Sequence, residues 1–211
     1  YKAIGVFQTQ EEIDSYISPA TGKPIQPNAA PGDTKFEDLN GDGVISDDNE
    51  DRTMIGKPNP DWMVGLTVAA DWNGFDLSAF FQGSFGADVF DALRRYELAA
   101  VNYTSDALER WTGPGTSNSM PRIVLGDTPK NFRPSTLLVH DASFLRLRNL
   151  QVGYTLPAQL TRKAYIQRLR FYASFDNLLT ITGYKGMDPE IGSTMGIDKG
   201  VYPQARVYTF G

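Results

Sequence analysis

The pair Asn73-Gly74, with apolar runs on both sides, constrains the fold more than any other stretch of this sequence. Asn and Gly tolerate the positive φ angles of the tightest β-turns, so the pair predicts a β-hairpin over residues 62–82. Its second arm alternates between two faces, Phe75, Leu77, Ala79 and Phe81 against Asp76, Ser78, Phe80 and Gln82. A period of two predicts a strand with one apolar and one mostly polar face.

Three further strands are predicted, over residues 143–156, over 169–177 and from residue 204 onward. Residues 144–148 do not keep the phase of the residues that follow them, which predicts either a bulge or a strand end outside the membrane. The connections alternate between short (71–74 and 157–167) and long (85–142 and 178–203). Short periplasmic turns and long extracellular loops are typical of outer-membrane barrels, but a soluble β-sandwich with an insertion also fits this pattern.

Helical spacing is weaker and lies in the connections. Val89, Leu93, Tyr96 and Ala100 predict an amphipathic helix, and short helical turns are expected over residues 8–16 and 105–111.

Composition excludes several kinds of site. The 211 residues include one His and no Cys, so the chain cannot supply a His-based catalytic or zinc site, a thiolate metal site or a disulfide framework. The formal net charge of −5 argues against a nucleic-acid surface, and we expect no nucleic-acid partner. No run of 18 apolar residues exists, which excludes a transmembrane helix and leaves open a barrel, whose strands alternate.

Residues 38–45 have the opening of a calcium-binding loop. Asp38, Asn40 and Asp42 occupy alternate positions, and Gly43 permits the sharp turn that brings their oxygens together. The backbone carbonyl of Val44 would be a further ligand, because Ca²⁺ takes six to eight oxygens. A usual loop ends in Glu at its twelfth position, where this chain has Asn49. The alternative is a chain of Asx-turns that holds no ion.

A series of motifs, in order along nearly the whole chain, resembles the C-terminal part of the SusC/RagA family of TonB-linked outer-membrane proteins. The motifs are GVFQTQEEI at 5–13, PGD at 31–33, DLNGDGVI at 38–45, DRT at 51–53, IGKPNP at 55–60, GFDLSAFFQG at 74–83, FLRLRNL at 144–150, DNLLTIT at 176–182, YKGMDPE at 184–190 and YPQAR at 202–206.

The resemblance implies an all-β fold, in which residues 1–211 are antiparallel strands of the C-terminal segment of a large transmembrane β-barrel with long extracellular loops. Residues 33–60 would be a calcium-loop-like extracellular segment and 85–142 a long extracellular loop. The plug and the TonB-contacting segment would lie outside this chain, which we expect to be a piece of a longer protein. The resemblance also aligns Asp51 with the acid that closes the calcium loop.

The function implied is TonB-dependent import of a bulky nutrient, a glycan or possibly a peptide, across the bacterial outer membrane, without enzymatic activity. The implied partners are a SusD-like surface lipoprotein, the TonB complex, the substrate and outer-membrane lipid. Aromatic residues near strand ends, namely Trp62, Trp72 and Tyr154, suit the girdles of a barrel. Polar strand residues would face its lumen, namely Asp76, Arg170, Tyr172 and Asp176.

Two other classes of protein remain open from the sequence. One is a soluble, calcium-stabilised β domain that binds glycans. The other is a secreted glycan hydrolase, which would need a pair of carboxylates in a cleft. Asp188 and Glu190 are close in sequence, but Pro189 between them favours a turn over acid–base chemistry.

Overall fold

The computed structural model describes residues 1–48, 50–94, 96, 98, 101–190 and 195–211. Two short α-helices are described, α1 (Gln10–Ser15) and α2 (Ala158–Thr161), with 3₁₀ turns at Ser105–Glu109, Thr136–Leu138 and Arg162–Ala164. The strands are β1 (Ala3–Val6), β2 (Thr34–Phe36), β3 (Trp62–Trp72), β4 (Phe75–Phe85), β5 (Asp88–Asp91), β6 (Val139–Asp141), β7 (Phe144–Thr155), β8 (Arg170–Thr182), β9 (Ile197–Asp198) and β10 (Val207–Phe210). Within the described residues, no helix is long and apolar enough to cross a membrane.

The chain forms two compact units. The loop unit comprises Tyr1–Gly56 and Phe90–Val139, and the sheet unit comprises Lys57–Val89 and His140–Gly211. A five-stranded antiparallel sheet of order β10-β8-β7-β4-β3 dominates the sheet unit. The chain also has the pair β1-β2 and a small sheet of order β6-β5-β9.

The predicted hairpin is confirmed, with β3 paired to β4 along its whole length from Trp62↔Phe85 to Trp72↔Phe75. Asn73 and Gly74 form its turn, with φ angles of 52° and 88°. Both values lie in the left-handed region that Asn and Gly tolerate.

The pairing register places the apolar side chains of β4 beside apolar side chains of the neighbouring strands, on one face of the sheet. Leu77 lies beside Val152 of β7, which lies beside Ala173 of β8, on one face. Ser78 lies beside Gln151 on the other face. The apolar face is exposed at large side chains in all five strands, including Leu66, Leu77, Val152, Phe171 and Phe210.

Bulges keep these faces continuous. The register shifts between Phe80 and Phe81 where β4 meets β7, and between Leu147 and Asn149 where β7 meets β8. The second shift skips Arg148, in the stretch where the sequence predicts a bulge. A bulge inserts one residue, so the side chains beyond it regain the phase of the partner strand.

Two predicted boundaries are wrong. Strand β8 continues to Thr182, beyond its predicted end at residue 177. Asn177, with a φ of 53°, interrupts the alternation of side chains, which resumes after it. The helix predicted from Val89 is wrong at that residue, which is buried in strand β5. Ala100, the last residue of that predicted helix, lies outside the described residues.

Helix α1 matches its prediction and shows why a short helix forms there. The Thr9 hydroxyl accepts a hydrogen bond from the Glu12 N–H, and the Glu12 side chain accepts one from the Gln8 N–H. The first bond satisfies an amide that the first helical turn leaves unpaired, and the second ties the residue before the N-cap to the helix.

A buried polar cluster around Asp33 connects distant segments of the loop unit. Asp33 accepts hydrogen bonds from Arg122 Nε at 2.7 Å and from Arg122 Nη2 at 3.1 Å. Asn131, fully buried, donates to Asp33 Oδ1 at 3.0 Å and accepts from the Thr34 N–H at 2.8 Å. Gly32 has a φ of 94°, and a Cβ there would overlap the Trp111 ring. The PGD motif therefore builds a loop core.

We expect Asp33→Ala to loosen the loop unit, because Arg122 and Asn131 would lose an acceptor. Leaving buried donors unpaired costs roughly 1–3 kcal/mol. Hydrogen exchange in the full-length protein should speed up at the amides of residues 30–36 and 120–133. The control Asp14→Ala removes an exposed carboxylate of α1 and should leave these amides unchanged. Equal exchange rates in the two variants would contradict the role of Asp33.

Candidate functional site

The Asp38 segment is a tight loop held by its own side chains. Asp38 accepts hydrogen bonds from the Gly41 N–H and the Gly43 N–H, both at 2.8 Å. Asn40 Oδ1 accepts from the Asp42 N–H at 3.1 Å, and Asp42 Oδ1 accepts from the Val44 N–H at 2.8 Å. These bonds form successive Asx-turns, the geometry expected without an ion.

Asp51 returns to the start of this loop. Its side chain is fully buried, and its two oxygens accept from the Leu39 N–H at 3.1 Å and the Ser46 N–H at 3.0 Å. Glu50 instead accepts a hydrogen bond from Asn40 Nδ2. Of the acids after position 45, Asp51 is thus the one that bridges both arms of the loop.

The loop has the chemistry that a hard cation needs. The hydrogen bond from Asn40 and the Val44 N–H hold the pKa of Asp42 below its usual value, which favours the charged form. Each carboxylate oxygen has two lone pairs, so one amide leaves room for a second partner. Among the residues that the structure describes, however, no three His, Cys, Asp or Glu side chains are grouped so that they could hold a metal. The loop thus supplies carboxylate, amide and carbonyl oxygens, the ligand types that Ca²⁺ takes, but its carboxylates are not gathered around one point.

The polar face of the large sheet contains a buried arginine, Arg146, which is only 2% exposed. Its guanidinium pairs with Asp188 Oδ1 at 2.5 Å and Glu190 Oε2 at 2.9 Å, and its Nε donates to Thr180 at 2.9 Å. Arg148 also pairs with Glu190. These pairs neutralise both carboxylates and fasten them to strand β7.

Asp188 also organises the backbone of its own loop. It accepts hydrogen bonds from the Gln204 N–H and the Glu190 N–H, each at 2.9 Å. Burial raises the pKa of Asp188, but these two amides and Arg146 together hold that pKa below its usual value. The sequence interpretation of 188–190 as a turn missed this network. Arg146 and Arg148, two cations in one predicted strand, were the signal that an acidic partner was needed.

The residues predicted to face a lumen do share the polar face. Arg170 Nε donates to Asp76 Oδ1 at 3.0 Å, and the guanidinium lies over the Tyr172 ring. Asp176 accepts a hydrogen bond from Asn149 at 2.7 Å. A Cβ at Gly153 would collide with the Asp76–Arg170 pair, so the pair requires glycine there.

The predicted girdle residues lie at strand ends. Trp62 and Trp72 begin and end strand β3 and are both exposed. Phe75 packs against Tyr154 with ring centroids 4.4 Å apart and ring planes tilted by 36°. Trp72, Phe75 and Tyr154 border the apolar face at the end where the short turns lie, and Trp62 borders it at the opposite end.

Together, the antiparallel strands, the exposed apolar face and the ion-paired polar face are typical of a segment of the wall of an outer-membrane β-barrel. Comparison with known proteins identifies the family. The chain is 34% identical over 224 residues to TonB-dependent receptor P3 of Formosa agariphila, covering 100% of this chain and 22% of the receptor. It is 31% identical over 186 residues to TonB-dependent receptor SusC of Bacteroides thetaiotaomicron, covering 87% of this chain and 18% of SusC.

Solved structures agree with these relatives. The RagAB peptide transporter matches with a TM-score of 0.60 and 32% identity, over 72% of this chain and 17% of that chain. No protein-family model matches. The chain spans about a fifth of the length of the curated relatives it matches. It belongs to the SusC/RagA-like TonB-dependent receptors and corresponds to their C-terminal part.

We expect the loop that carries Asp188 to detach in acid. Because the folded pKa of Asp188 is lowered, its stabilisation is present above the ordinary Asp pKa of about 4 and is lost as pH falls through the folded value. Hydrogen exchange at the Glu190 and Gln204 amides, corrected for intrinsic rates, should therefore accelerate in acid.

The control variant is Asp188→Asn, which removes the titrating group and keeps one carbonyl acceptor. It should exchange faster at neutral pH and show no acid step at these two amides. An acid step of unchanged size in Asp188→Asn would assign the transition to another group.

Proposed function

We propose that the protein of which this chain forms a part imports a bulky nutrient across the bacterial outer membrane, powered through TonB. One observation carries the proposal: a single continuous apolar face is exposed across five antiparallel strands, and the opposite face is polar and ion-paired. Lipid on one side and water on the other is the environment that such a sheet needs. The matched relatives are named as TonB-dependent receptors and as a peptide importer.

The proposed substrate is a glycan, or possibly a peptide, and the proposed partners are a SusD-like lipoprotein and the TonB complex. RagAB is described as a peptide importer. The proposal does not include catalysis. Asp188 and Glu190, the two carboxylates weighed for acid–base chemistry in the sequence, are neutralised by Arg146 and Arg148.

We expect the two faces of strand β4 to respond differently to a charge. Leu77→Arg places a cation on the proposed lipid face and should cost roughly 2–4 kcal/mol of folding free energy near the bilayer midplane. Ser78→Arg is the matched control, because its neighbour Gln151 lies on the polar face. Both free energies are measured by reversible folding of the full-length protein into lipid vesicles. Equal costs at the two positions would contradict the proposal.

We propose that the short turns face the periplasm and that the long connections, including residues 38–51 and 85–142, face outside. Alternation of short and long connections supports this orientation. Cysteines at Gln159 and Ser119 probe it, since both side chains are exposed. A membrane-impermeant maleimide on intact cells should label Ser119→Cys and not Gln159→Cys. The reverse pattern would invert the orientation.

We further propose that residues 38–51 bind Ca²⁺ as a structural ion, with Asp38, Asn40, Asp42, the Val44 carbonyl and Asp51 as ligands. Two observations support the proposal. Asp51 accepts hydrogen bonds from both arms of the loop, at Leu39 and at Ser46, and the pKa of Asp42 is lowered. Repulsion among the acids here, which include Asp47, Asp48 and Glu50, would also decrease on binding.

Calcium should protect residues 38–51 from hydrogen exchange in the full-length protein, and Asp42→Ala should abolish that protection. The change should leave the sheet unaffected, because strand pairing does not involve Asp42. Asp14→Ala is the control and should keep the calcium response. If calcium and chelator gave equal exchange in the unchanged protein, the loop would be the ion-free chain of Asx-turns.

A further inference from the structure

The short connection between β7 and β8 is the most basic segment near the end of the apolar face. Residues 157–169 contain Arg162, Lys163 and Arg168 and no Asp or Glu, within a chain whose net charge is −5. All three cations are exposed. Among the described residues, none of the three forms an ion pair, whereas Arg146, Arg148 and Arg170 on the neighbouring strands are all paired.

This turn is built as an ordered platform. The Ile166 N–H donates to the Thr161 carbonyl at 3.1 Å, and the Leu156 N–H donates to the Leu169 carbonyl at 2.9 Å. Thr161 is only 4% exposed. The turn therefore presents its side chains from a fixed backbone, so little chain entropy would be lost when a ligand binds.

Tyr165, at the tip of the turn, is 98% exposed. Its φ of 57° lies in the left-handed region that bulky residues rarely adopt. Leu160 and Ile166 on the same turn are also exposed. An ordered turn that combines exposed Tyr and aliphatic side chains with unpaired cations matches the boundary between lipid and water, where Tyr rings and basic groups concentrate.

The position of the turn agrees with this chemistry. Tyr154, near the end of β7, and Phe171, near the start of β8, flank the turn. Both belong to the apolar face. The packed pair Phe75–Tyr154 and the exposed Trp72 lie at the same end of the sheet. The turn thus continues the apolar face into a region where phosphate headgroups would begin.

We propose that residues 157–169 dock on the anionic phospholipid headgroups that border the barrel, with Arg162, Lys163 and Arg168 binding phosphate and Tyr165 inserting at the interface. The inference rests on the proposed function, because it requires the apolar face to contact a bilayer. Cations near an anionic surface each gain electrostatic attraction, which weakens as salt screens it.

The test uses the full-length protein in nanodiscs of phosphatidylcholine and phosphatidylglycerol mixed in equal amounts. After extraction into mild detergent, mass spectrometry measures the ratio of retained phosphatidylglycerol to phosphatidylcholine. The triple variant Arg162→Gln/Lys163→Gln/Arg168→Gln should lower this ratio by roughly fivefold or more at low salt, a factor of about five corresponding to one cation. Tyr165→Ala should also lower the ratio. Tyr165→Trp, which keeps an aromatic ring, should leave the ratio at the value of the unchanged protein.

The matched control is Lys23→Gln/Lys185→Gln/Lys199→Gln, which removes the same charge from exposed loop positions. It should leave the ratio unchanged. If the two triple variants lost phosphatidylglycerol equally, the attraction would come from net charge and the docking site would be wrong. Failure of the unchanged protein to insert into nanodiscs would overturn the proposed function instead.

A photo-crosslinker at Tyr165 separates lipid from a protein partner. Crosslinking in cell envelopes should give lipid adducts that decrease in the Arg162/Lys163/Arg168 variant and persist in the control. A protein adduct in place of lipid would overturn the proposal and assign the turn to a protein contact.

Discussion

Registered pairing of five antiparallel strands is the constraint on which the rest of the structure depends. A strand places successive side chains on opposite faces, so a slip of one residue would move every side chain of the apolar face to the polar face. The register shifts between Phe80 and Phe81 and between Leu147 and Asn149. The bulges at these two points keep the apolar side chains on one face. The ion pair between Asp76 of β4 and Arg170 of β8 can then form over the intervening strand β7, because both side chains lie on one face.

Buried carboxylates organise the irregular segments within each unit. Asp188 fixes its loop to Arg146 and to the backbone at Gln204, while Asp33 and Asp51 organise the loop unit. Each of these carboxylates is buried and satisfied by several donors, which is the condition under which a buried charge is tolerated. Asp33, Asp51 and Asp188 therefore act as structural anchors for irregular backbone.

The sequence predicts the local parts of this architecture and misses the distant ones. Alternation and the Asn73-Gly74 turn are local signals, so the hairpin, its two faces and the bulge near Arg148 could be predicted. Strand β8 was predicted too short because Asn177 interrupts the alternation, and Val89 was assigned to a helix although it lies in β5. The Arg146–Asp188 pair joins residues 42 positions apart, a separation that no periodicity encodes. In the 38–51 loop, only the family resemblance pointed to Asp51 as the closing residue, since spacing alone pointed to Asn49.

The central claim is that one face of this sheet meets lipid and the other meets water. Spin labels placed one at a time at residues 171–176 of strand β8, in the full-length protein in bilayers, test it most directly. Collision with oxygen, which concentrates in lipid, should be high at Phe171, Ala173 and Phe175. Collision with a water-soluble nickel reagent should be high at Tyr172, Ser174 and Asp176. Accessibilities that rise and fall together, or that do not alternate, would contradict the account.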